Sequence, residues 1–466
     1  MPERRAAVVG AGVAGLVCAH RLGAAGLPCD VYERWPGLGG QAATIELDDG
    51  ARFERYYHYL FTGDQEMIRL FGELGLGGDL KALSGGAAIA IDGRVISFNG
   101  ALDLLRFDPI PLSARLRMGV AMVRMQFSRK TALDHREITA KDWITTQMGD
   151  AAWKGVWEPL MRGKFGERAD QIAMSWIWDK IMRRRSIRSG EARREEFIYP
   201  RRTFEPLFVE LQRRIEGGGG RVLIDRPAHS LTRRADGRID LQGSAPDSFR
   251  RGLDPRRFDP AGPPVAYDAV VACVANDTFG ALLDPGLAAE VGPAYLEKLE
   301  TVEYFAALNL VLELDHSLTD YFWINVADRR CPFVGLIEHS NLVGTETTNG
   351  RIISHITNYL PAGHELLDLS PDELLERYEP GLRILNPDFR LDQVRNRWMF
   401  CEPAAQPIVG VDYSARITPR ATGAAGLWLV NTTQIFPEDR GTNFAVRDGG
   451  LVAEEVLAAL GAGSAA

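Results

Sequence analysis

A glycine-rich turn near the start of the chain restricts the fold more than any other segment. The apolar residues 6–9 predict a buried strand, and the turn at residues 10–15 (GAGVAG) leads into an apolar stretch that predicts a helix ending near Gly26. Residues 29–33 predict a second strand. In such a unit the first glycine permits a tight turn, the second lets the backbone approach a pyrophosphate, and the third lets the helix pack on the strand. The segment therefore predicts an α/β fold with a dinucleotide site.

An acidic residue at the end of the second predicted strand supports this interpretation. Glu33 stands where a carboxylate accepts hydrogen bonds from a ribose diol. Two other interpretations of the segment exist. A glycine-rich turn can occur without a ligand, and Arg4 and Arg5 before an apolar run imitate a signal peptide. The three glycines inside the run favour the strand, turn and helix.

Composition narrows the class of protein. A chain of 466 residues predicts two domains, and a net charge of −8 is ordinary for a globular protein. The five cysteines have no metal-ligand spacing, so we expect no metal site and reduced thiols in a cytoplasmic protein. No stretch is long and apolar enough to span a bilayer.

Further along the chain, hydrophobic periodicity predicts the order of the elements. Residues 143–162 are Trp-rich and helix-like, and residues 236–264 predict an exposed hairpin or insertion. The other predicted elements are helices at 204–215 and 444–460, buried strands at 221–224, 269–275 and 427–431, antiparallel strands at 303–314 and 352–359, and a C-terminal tail at 461–466.

A second glycine cluster bears on which dinucleotide the chain binds. Arg34 follows Glu33, and the segment 37–41 (GLGGQ) comes directly after it. This extended motif resembles that of the flavoprotein superfamily that holds amine oxidases, protoporphyrinogen oxidases, phytoene desaturases and UDP-galactopyranose mutases. Three later segments match in order: residues 220–222, residues 267–283, and Arg397-Trp398 followed by prolines. The resemblance implies a Rossmann-like domain with tightly bound FAD.

The resemblance also implies which residues hold FAD. The C-terminal strand and helix resemble the unit that binds the ribityl chain and the flavin, although Asn431-Thr432 stands where the superfamily usually has Gly-Asp, and the segment 434–443 is longer and more polar than usual. The implied FAD-binding residues are Gly10, Gly12, Ala14, Gly15, Glu33, Arg34, Gly39, Gly40, Gln41, Val222, Trp398, Asn431, Thr442 and Asn443.

Candidate catalytic residues come from two segments. Residues 56–61 correspond to a segment that faces the flavin in the related mutases and desaturases, so Tyr57 and His58 are candidates; a purely structural, hydrogen-bonded His58 is the alternative. Arg440, beside Asp439, is the third candidate, with a mutual salt bridge as the alternative. No lysine follows position 298, whereas many amine oxidases of the superfamily use a lysine in that part of the chain. This argues against a monoamine-oxidase-type mechanism.

A basic stretch leaves several interpretations open. Residues 180–214 hold eleven Lys and Arg against five Glu. They form a solvated surface, bind an anionic substrate through Arg184 and Arg201, or contact an anionic membrane together with the Arg-bearing apolar stretch 112–127. Peripheral membrane contact is therefore an alternative to a purely cytoplasmic protein, and the oligomeric state stays open.

Together these features predict a two-domain α/β flavoprotein. We expect a discontinuous FAD-binding domain at residues 1–60, 200–285 and 395–460, and a substrate domain with a mixed sheet and helices at 61–199 and 286–394. The expected function is dehydrogenation or desaturation of a largely apolar or phosphorylated small molecule by hydride transfer to flavin N5. The alternatives are a non-oxidative, mutase-like enzyme acting on a nucleotide-linked sugar, and a flavin-bearing binding module.

Overall fold

A computed structural model describes residues 4–187, 195–245 and 259–461, with residues 183–187 and 195 described by their backbone alone. The strands are β1 Ala6–Val9, β2 Cys29–Tyr32, β3 Thr44–Glu46, β4 Arg52–Glu54, β5 Leu60–Phe61, β6 Leu80–Gly85, β7 Ala87–Ile91, β8 Arg94–Ser97, β9 Glu195–Pro200, β10 Arg221–Leu223, β11 Ala228–Arg233, β12 Ile239–Gly243, β13 Val265–Tyr267, β14 Ala269–Ala272, β15 Tyr304–Leu314, β16 Trp323–Val326, β17 Gly335–Glu338, β18 Ile352–Pro361, β19 Val394–Pro407 and β20 Leu427–Leu429.

The helices lie between these strands along the chain, and within the described ranges α3–α8 and α10–α12 form two groups that no strand interrupts. They are α1 Val13–Ala24, α2 Gln65–Glu73, α3 Ala101–Arg106, α4 Leu112–Gln126, α5 Ala140–Gln147, α6 Asp150–Ala152, α7 Glu158–Phe165, α8 Met174–Ile187, α9 Glu205–Gly217, α10 Asn276–Leu282, α11 Pro285–Val291, α12 Pro293–Glu300, α13 His339–Val343, α14 Pro371–Leu385, α15 Tyr413–Arg416 and α16 Thr442–Ala459.

A five-stranded parallel sheet organises the dinucleotide side of the molecule. Its strand order is β10-β2-β1-β14-β20, and every pair is parallel. Strands β1, β14 and β20 are short apolar runs buried along their whole length, as a parallel sheet covered by two layers requires. One face packs on α1, α9 and α16, and the other on the small sheet β11-β12-β13 and helices α10–α12. All five strands therefore end at the same edge, where ligands bind in open α/β sheets.

A seven-stranded mixed sheet forms the second half of the molecule. Its order is β19-β15-β18-β17-β16-β7-β8, with β16 and β7 parallel and the other pairs antiparallel. Helix α14 packs on one face through buried leucines, and α3–α8 enclose a separate apolar core. Along the chain, the strands of two small sheets, β3-β4 and β5-β9-β6, come between strands of the two large sheets.

Most sequence-predicted elements are confirmed. The first strand, helix and second strand agree within one or two residues, and α1 ends before Gly26, which takes φ +82°. The predicted antiparallel strands are β15 and β18, in register from Phe305 with Pro361 to Leu314 with Ile352. The predicted 236–264 hairpin contains β12, paired with β11, while residues 246–258 lie outside the described part of the chain, as do residues 462–466 of the predicted tail.

One expectation changes, and another stays a prediction. The helix-like segment 143–162 is three short helices and a π-helical turn at Trp153–Trp157, because Gly149 takes φ +97° and interrupts the run. The division into domains stays a prediction, but β19, within the predicted FAD-binding segment 395–460, pairs with β15 in the seven-stranded sheet. Within the described ranges, no helix is long and apolar enough to cross a membrane.

Candidate functional site

A cavity of about 600 Å³ opens at the edge where the parallel strands end. It is lined by the turn after β1, the residues after β2, β14 and β20, the start of α16 and part of β19. Thirteen of the sequence-predicted site residues line it: Gly10, Gly12, Ala14, Gly15, Glu33, Arg34, Gly39, Gly40, Gln41, His58, Asn431, Arg440 and Thr442.

The three glycines of the first turn face different surroundings. Gly10 has φ +103°, and a Cβ there would lie 2.7 Å from the carbonyl oxygen of Cys273. A Cβ on Gly15 would overlap the carbonyl oxygen of Gly10. Around Gly12, by contrast, no atom lies within 4 Å of a Cβ position. Two glycines are thus required by packing, whereas Gly12 faces open space in the cavity wall.

The second glycine cluster packs directly on the first. The Gly39 N–H donates to the Ala11 carbonyl at 2.9 Å, and Gly39 forms a parallel bridge with Gly12. Gly39 has φ +98°, and a Cβ on it would overlap the Phe208 ring. A Cβ on Gly40 would lie 3.0 Å from the Gly12 Cα. The two clusters therefore form one continuous backbone surface.

Glu33 connects this surface to the second strand. One carboxylate oxygen accepts from the Ala11 N–H at 2.6 Å and the other from the Trp35 N–H at 2.7 Å. Burial raises the pKa of Glu33, whereas the two backbone hydrogen bonds oppose the shift. Both bonds hold the carboxyl group in one orientation on the cavity wall.

The departure from the usual Gly-Asp pair has a structural explanation at Asn431. Its Oδ1 accepts from the Thr433 N–H at 3.0 Å and caps the short helical turn Thr432–Gln434. Its Nδ2 donates to the Val274 carbonyl at 2.8 Å and to Asn276 Oδ1 at 2.9 Å. Asn431 thereby joins the ends of β20 and β14 at the cavity.

Two helix N-termini point at the cavity, and this tests whether FAD fits the residues present. Gly12 precedes α1 and Gly441 precedes α16, and neither helix start has a side-chain cap or an acidic residue in its first turn. Their first N–H groups and positive dipole ends therefore remain available for anionic groups. Because a Cβ on Gly449 would overlap the Ala14 carbonyl, α16 packs closely on α1, which keeps the two N-termini together. This arrangement fits a dinucleotide with a flavin at one end.

His58 contributes a neutral imidazole to the wall. Its Nδ1 donates to the Tyr56 carbonyl at 2.7 Å, which leaves Nε2 as the atom with a lone pair. Burial, with the nearby charge of Arg440, lowers the pKa of His58 to about 4. The ring is therefore unprotonated near neutral pH and can accept a proton or a hydrogen bond.

Arg440 is held by three neutral side chains. Its Nε donates to Gln406 Oε1 at 3.1 Å, Nη1 to Gln41 Oε1 at 3.4 Å and Nη2 to the Tyr359 hydroxyl at 3.3 Å. These contacts fix the position of the guanidinium without neutralising its charge. Arg440 therefore brings positive charge to the cavity wall.

Asp439 pairs with lysines and not with its neighbour. Its Oδ2 lies 2.9 Å from Lys164 Nζ and 3.0 Å from Lys180 Nζ, and its Oδ1 accepts from Trp176 Nε1 at 3.0 Å. Burial raises the pKa of Asp439, but the positive charges of Lys164, Lys180 and Arg440 outweigh it and bring this pKa well below its ordinary value. The predicted Asp439–Arg440 salt bridge is wrong, because the loop turns the two side chains to different neighbours.

Comparison with known proteins decides the family. Residues 13–427 match the sequence model of the family described as flavin containing amine oxidoreductase. The chain belongs to this family. FAD is therefore the cofactor of this flavin containing amine oxidoreductase, and the chain is an FAD-dependent oxidoreductase of that class.

The individual relatives match this chain either over a short segment or at low sequence identity. The chain is 43% identical over 72 residues to the 15-cis-phytoene desaturase of Synechococcus elongatus, which is 16% of this chain and 15% of that protein. It is 23% identical over 248 residues to the 15-cis-phytoene desaturase of Capsicum annuum, which is 50% of this chain and 42% of that protein. The chain thus matches less than half the length of either relative.

Solved structures share the fold along nearly the whole chain. A protein from Exiguobacterium sp. 255-15, provisionally named protoporphyrinogen oxidase, has TM-score 0.75 and 16% identity, covering 98% of this chain and 99% of that one. Reduced UDP-galactopyranose mutase has TM-score 0.72 and 14% identity, covering 98% of this chain and 94% of that one. At these identities the likeness concerns the fold alone.

Within this flavin containing amine oxidoreductase, Val222 and Trp398 do not line the cavity. Val222 pairs with Val31 inside the parallel sheet, and the chain reaches the cavity edge only after β10 ends, at Pro227 and Ala228. The Trp398 ring packs against Phe53, with centroids 5.0 Å apart, while the next residues of β19 line the cavity. Both stay predictions as FAD contacts, and the residues that line the cavity lie a few positions further along the chain.

Asn443 and Tyr57 also have other neighbours than those predicted. Asn443 Oδ1 accepts from the Glu66 N–H at 2.9 Å and the Met67 N–H at 3.2 Å, so it caps the start of α2. Tyr57 packs edge-on against Trp323, with ring centroids 5.0 Å apart. Neither lines the cavity.

Of the two arginines predicted to bind substrate, one lies away from the cavity, and the side chain of the other is not described. Arg201 is exposed beside the start of β6, where its N–H donates to the Asp79 carbonyl at 2.9 Å. It does not line the cavity. The side chain of Arg184 lies outside the described part of the structure.

Several cavity neighbours were missed by sequence reasoning. Arg55 lines the cavity with its guanidinium 4.0 Å from the centre of the Trp35 ring, and Glu402 lines it from β19. Lys164 forms an ion pair with Asp439, the residue before Arg440, and its Nζ lies 5.4 Å from the centre of the Tyr359 ring. Arg55 lies close to the predicted Tyr57 and His58, which is the one signal that could have found it. Lys164 has no such signal, because its partners come from distant segments.

Proposed function

We propose that the chain dehydrogenates or desaturates a small, largely apolar substrate. The observation that carries this proposal is the composition of one cavity wall: the two glycine clusters meet the start of α16 at the same cavity that His58 and Arg440 line. The glycine clusters and the start of α16 would hold FAD, which would supply a hydride acceptor at N5, with an external acceptor as the final oxidant.

The side chains of this wall supply the proton chemistry. Loss of two hydrogens from a substrate releases a proton together with the hydride, so a base must stand at the cavity. The Nδ1 of His58 is engaged by the Tyr56 carbonyl, so Nε2 is the atom that receives the proton; because a pKa of about 4 makes the ring a weak base, the proton passes on to solvent.

Arg440 and the apolar side chains of the cavity wall orient the substrate. The guanidinium is held on three sides by Gln406, Gln41 and Tyr359 and attracts an electron-rich or anionic part of the substrate. Met399, Phe400 and Ile435 line the cavity and favour apolar groups.

The test is the mass of the product. Candidate apolar substrates are mixed anaerobically with purified protein, and the flavin absorbance near its visible maximum is followed. Bleaching together with a product lighter by two hydrogens supports dehydrogenation. His58→Gln should slow bleaching about a hundredfold or more, whereas the exposed His316→Gln should match the unmodified protein.

A mutase-like reaction on a nucleotide-linked sugar is the second candidate. It is favoured by Arg55 and Arg440, two of the three arginines that line the cavity, because guanidinium groups suit a diphosphate, and the same arginines would hold a phosphorylated substrate of a dehydrogenase. In this case the protein acts only after prior reduction, and the product is an isomer of the substrate. An isomeric product would therefore replace the dehydrogenase proposal.

The cellular setting is part of the proposal. All five cysteines, which fall within the described ranges, are free, and this supports a reducing, cytoplasmic environment. The partner is a small-molecule substrate.

A further inference from the structure

Helix α4 has two opposite apolar faces. Ala114, Met118, Ala121 and Met125 are buried against the helical core. At 100° per residue, a second stripe points the other way. Its members are Leu112, Leu116, Val120, Val123 and Phe127, which are between 51% and 81% exposed.

The exposed stripe continues onto α3. Leu102 and Leu105 are exposed, and the Arg115 guanidinium joins the helices by donating to the Leu105 carbonyl at 2.5 Å. Among the described residues, eight of the twelve exposed large apolar side chains lie between positions 102 and 133. Such concentration marks an interaction surface, because exposed apolar residues are otherwise scattered singly.

Positive charge borders this stripe. Between Asp108 and Asp134 the chain has no acidic residue, and its basic residues there are Arg115, Arg117, Arg124, Arg129 and Lys130. On the helix, Arg115 lies on one side of the exposed stripe, and Arg117 and Arg124 lie on the other. Arg117 donates to the carbonyls of Gln147 at 3.1 Å and Thr146 at 2.5 Å, contacts that leave its charge in place.

We propose that this surface docks on an anionic lipid bilayer. The surface is named here the α3–α4 face and consists of Leu102, Leu105, the five residues of the exposed α4 stripe and the five basic residues. A helix with an apolar stripe bordered by arginines lies in the plane of an anionic interface, where the stripe enters the acyl boundary and the arginines meet lipid phosphates.

Charge favours a bilayer over a second copy of the chain. A symmetric contact between two α3–α4 faces would place the same five positive charges opposite each other, which is unfavourable. An anionic surface neutralises them. Of the two stretches considered for membrane contact, 180–214 and 112–127, the proposal keeps the second, and it does not depend on the reaction catalysed.

The experiment measures binding to vesicles of equal parts phosphatidylserine and phosphatidylcholine by cosedimentation of the FAD-loaded protein. The unmodified protein should bind these vesicles, bind phosphatidylcholine vesicles much more weakly, and lose binding in high salt. The double variant Val120→Glu, Phe127→Glu should bind at least about tenfold more weakly. Arg129→Gln with Lys130→Gln should lose about fivefold for each charge.

The matched control is Val209→Glu with Leu451→Glu. These side chains are 52% and 37% exposed and lie on α9 and α16, away from the α3–α4 face in sequence. The control should bind vesicles like the unmodified protein, and both double variants should keep the flavin spectrum and melting temperature.

Three results overturn the proposal. The first is no binding of the unmodified protein to the anionic vesicles. The second is an equal loss of binding in the control. The third is a dimer in analytical ultracentrifugation that Val120→Glu, Phe127→Glu dissociates while vesicle binding is absent, which would assign the face to a second copy.

Discussion

Replacing Gly12 by alanine should separate FAD binding from protein stability. Gly12 has φ −70° and ψ 175°, an extended conformation that alanine adopts readily. Apart from its chain neighbours and the adjoining helix backbone, no atom lies within 4 Å of its Cβ position, which faces the cavity. We therefore expect the added methyl group to meet the cofactor and not the protein.

The two effects differ in size. In the apo-protein, alanine before a helix lowers the free energy of unfolding by about 1 kcal/mol relative to glycine. Alanine also restricts the unfolded chain, which raises the free energy of unfolding by about 0.4–1 kcal/mol. The free energy of unfolding should therefore change by less than about 1 kcal/mol. Displacing the pyrophosphate from the α1 N-terminus removes charge-assisted hydrogen bonds of about 1.5–3 kcal/mol each. Loss of two lowers FAD affinity roughly hundredfold or more.

The assay combines urea unfolding of the apo-protein with titration of FAD, followed by flavin fluorescence. Gly15→Ala is the contrasting variant, since its Cβ would overlap the Gly10 carbonyl and the apo-protein should lose about 1–3 kcal/mol or more. Gly23→Ala, in the same helix with nothing within 4 Å of its Cβ, should be neutral or stabilising in both measurements.

Two outcomes would refute this reasoning. The first is a Gly12→Ala protein that binds FAD as tightly as the unmodified protein, because the methyl group then does not meet the pyrophosphate. The second is an apo-protein destabilised by more than about 2 kcal/mol, because Gly12 would then be needed for packing in the same way as Gly15.

The remaining predictions concern stability. Burial raises the pKa of Glu54 to about 7, so the folded protein holds a proton that the unfolded chain loses above about pH 4.5, and stability should fall by up to about 3 kcal/mol between these values. Glu54→Gln should remove this part of the pH slope in urea unfolding, while Glu338, with a pKa also raised to about 7 by burial, keeps its own part. Asp439→Asn should destabilise the protein by about 1–3 kcal/mol, because two half-buried lysines lose a buried carboxylate, whereas Asp412→Asn at an exposed pair should cost about 1 kcal/mol or less; equal losses in thermal unfolding would contradict the pairing. Asn443→Ala should cost about 1–2 kcal/mol by uncapping α2 and should retain the flavin spectrum, so a colourless, stable variant would restore its sequence-predicted role in FAD binding.

The dinucleotide unit could be predicted from the sequence because its requirements are local. The tight turn at Gly10 and the helix–strand contact at Gly15 each exclude a side chain for reasons set within a few residues or by the adjoining strand. Strand and helix periodicity predicted the bounds of the elements in the first 33 residues to within one or two positions. It also predicted the antiparallel strands β15 and β18. Glu33 and the second glycine cluster follow from the same short segment.

The residues that reach the cavity were harder to predict near the end of a strand, because the hydrophobic pattern does not show at which residue the strand ends. Residues 220–222 correctly indicated a strand beside β2, but the cavity lies at its carboxyl end, so Ala228 and not Val222 reaches it. Asn443 was placed beside the flavin from its position at the start of α16, whereas its side chain turns to α2. A shift of one helical position changes the face on which a side chain lies.

Only the tertiary structure decided which charges meet at the substrate side. Asp439 is adjacent to Arg440 in sequence, yet its carboxylate contacts Lys164, which is 275 positions away, and Lys180. The loop before α16 and the helices α7 and α8 meet only when the two large sheets are assembled around the cavity. Because a buried carboxylate selects its partners by the position of whole elements in space and not by distance along the chain, no local pattern could reveal this cluster.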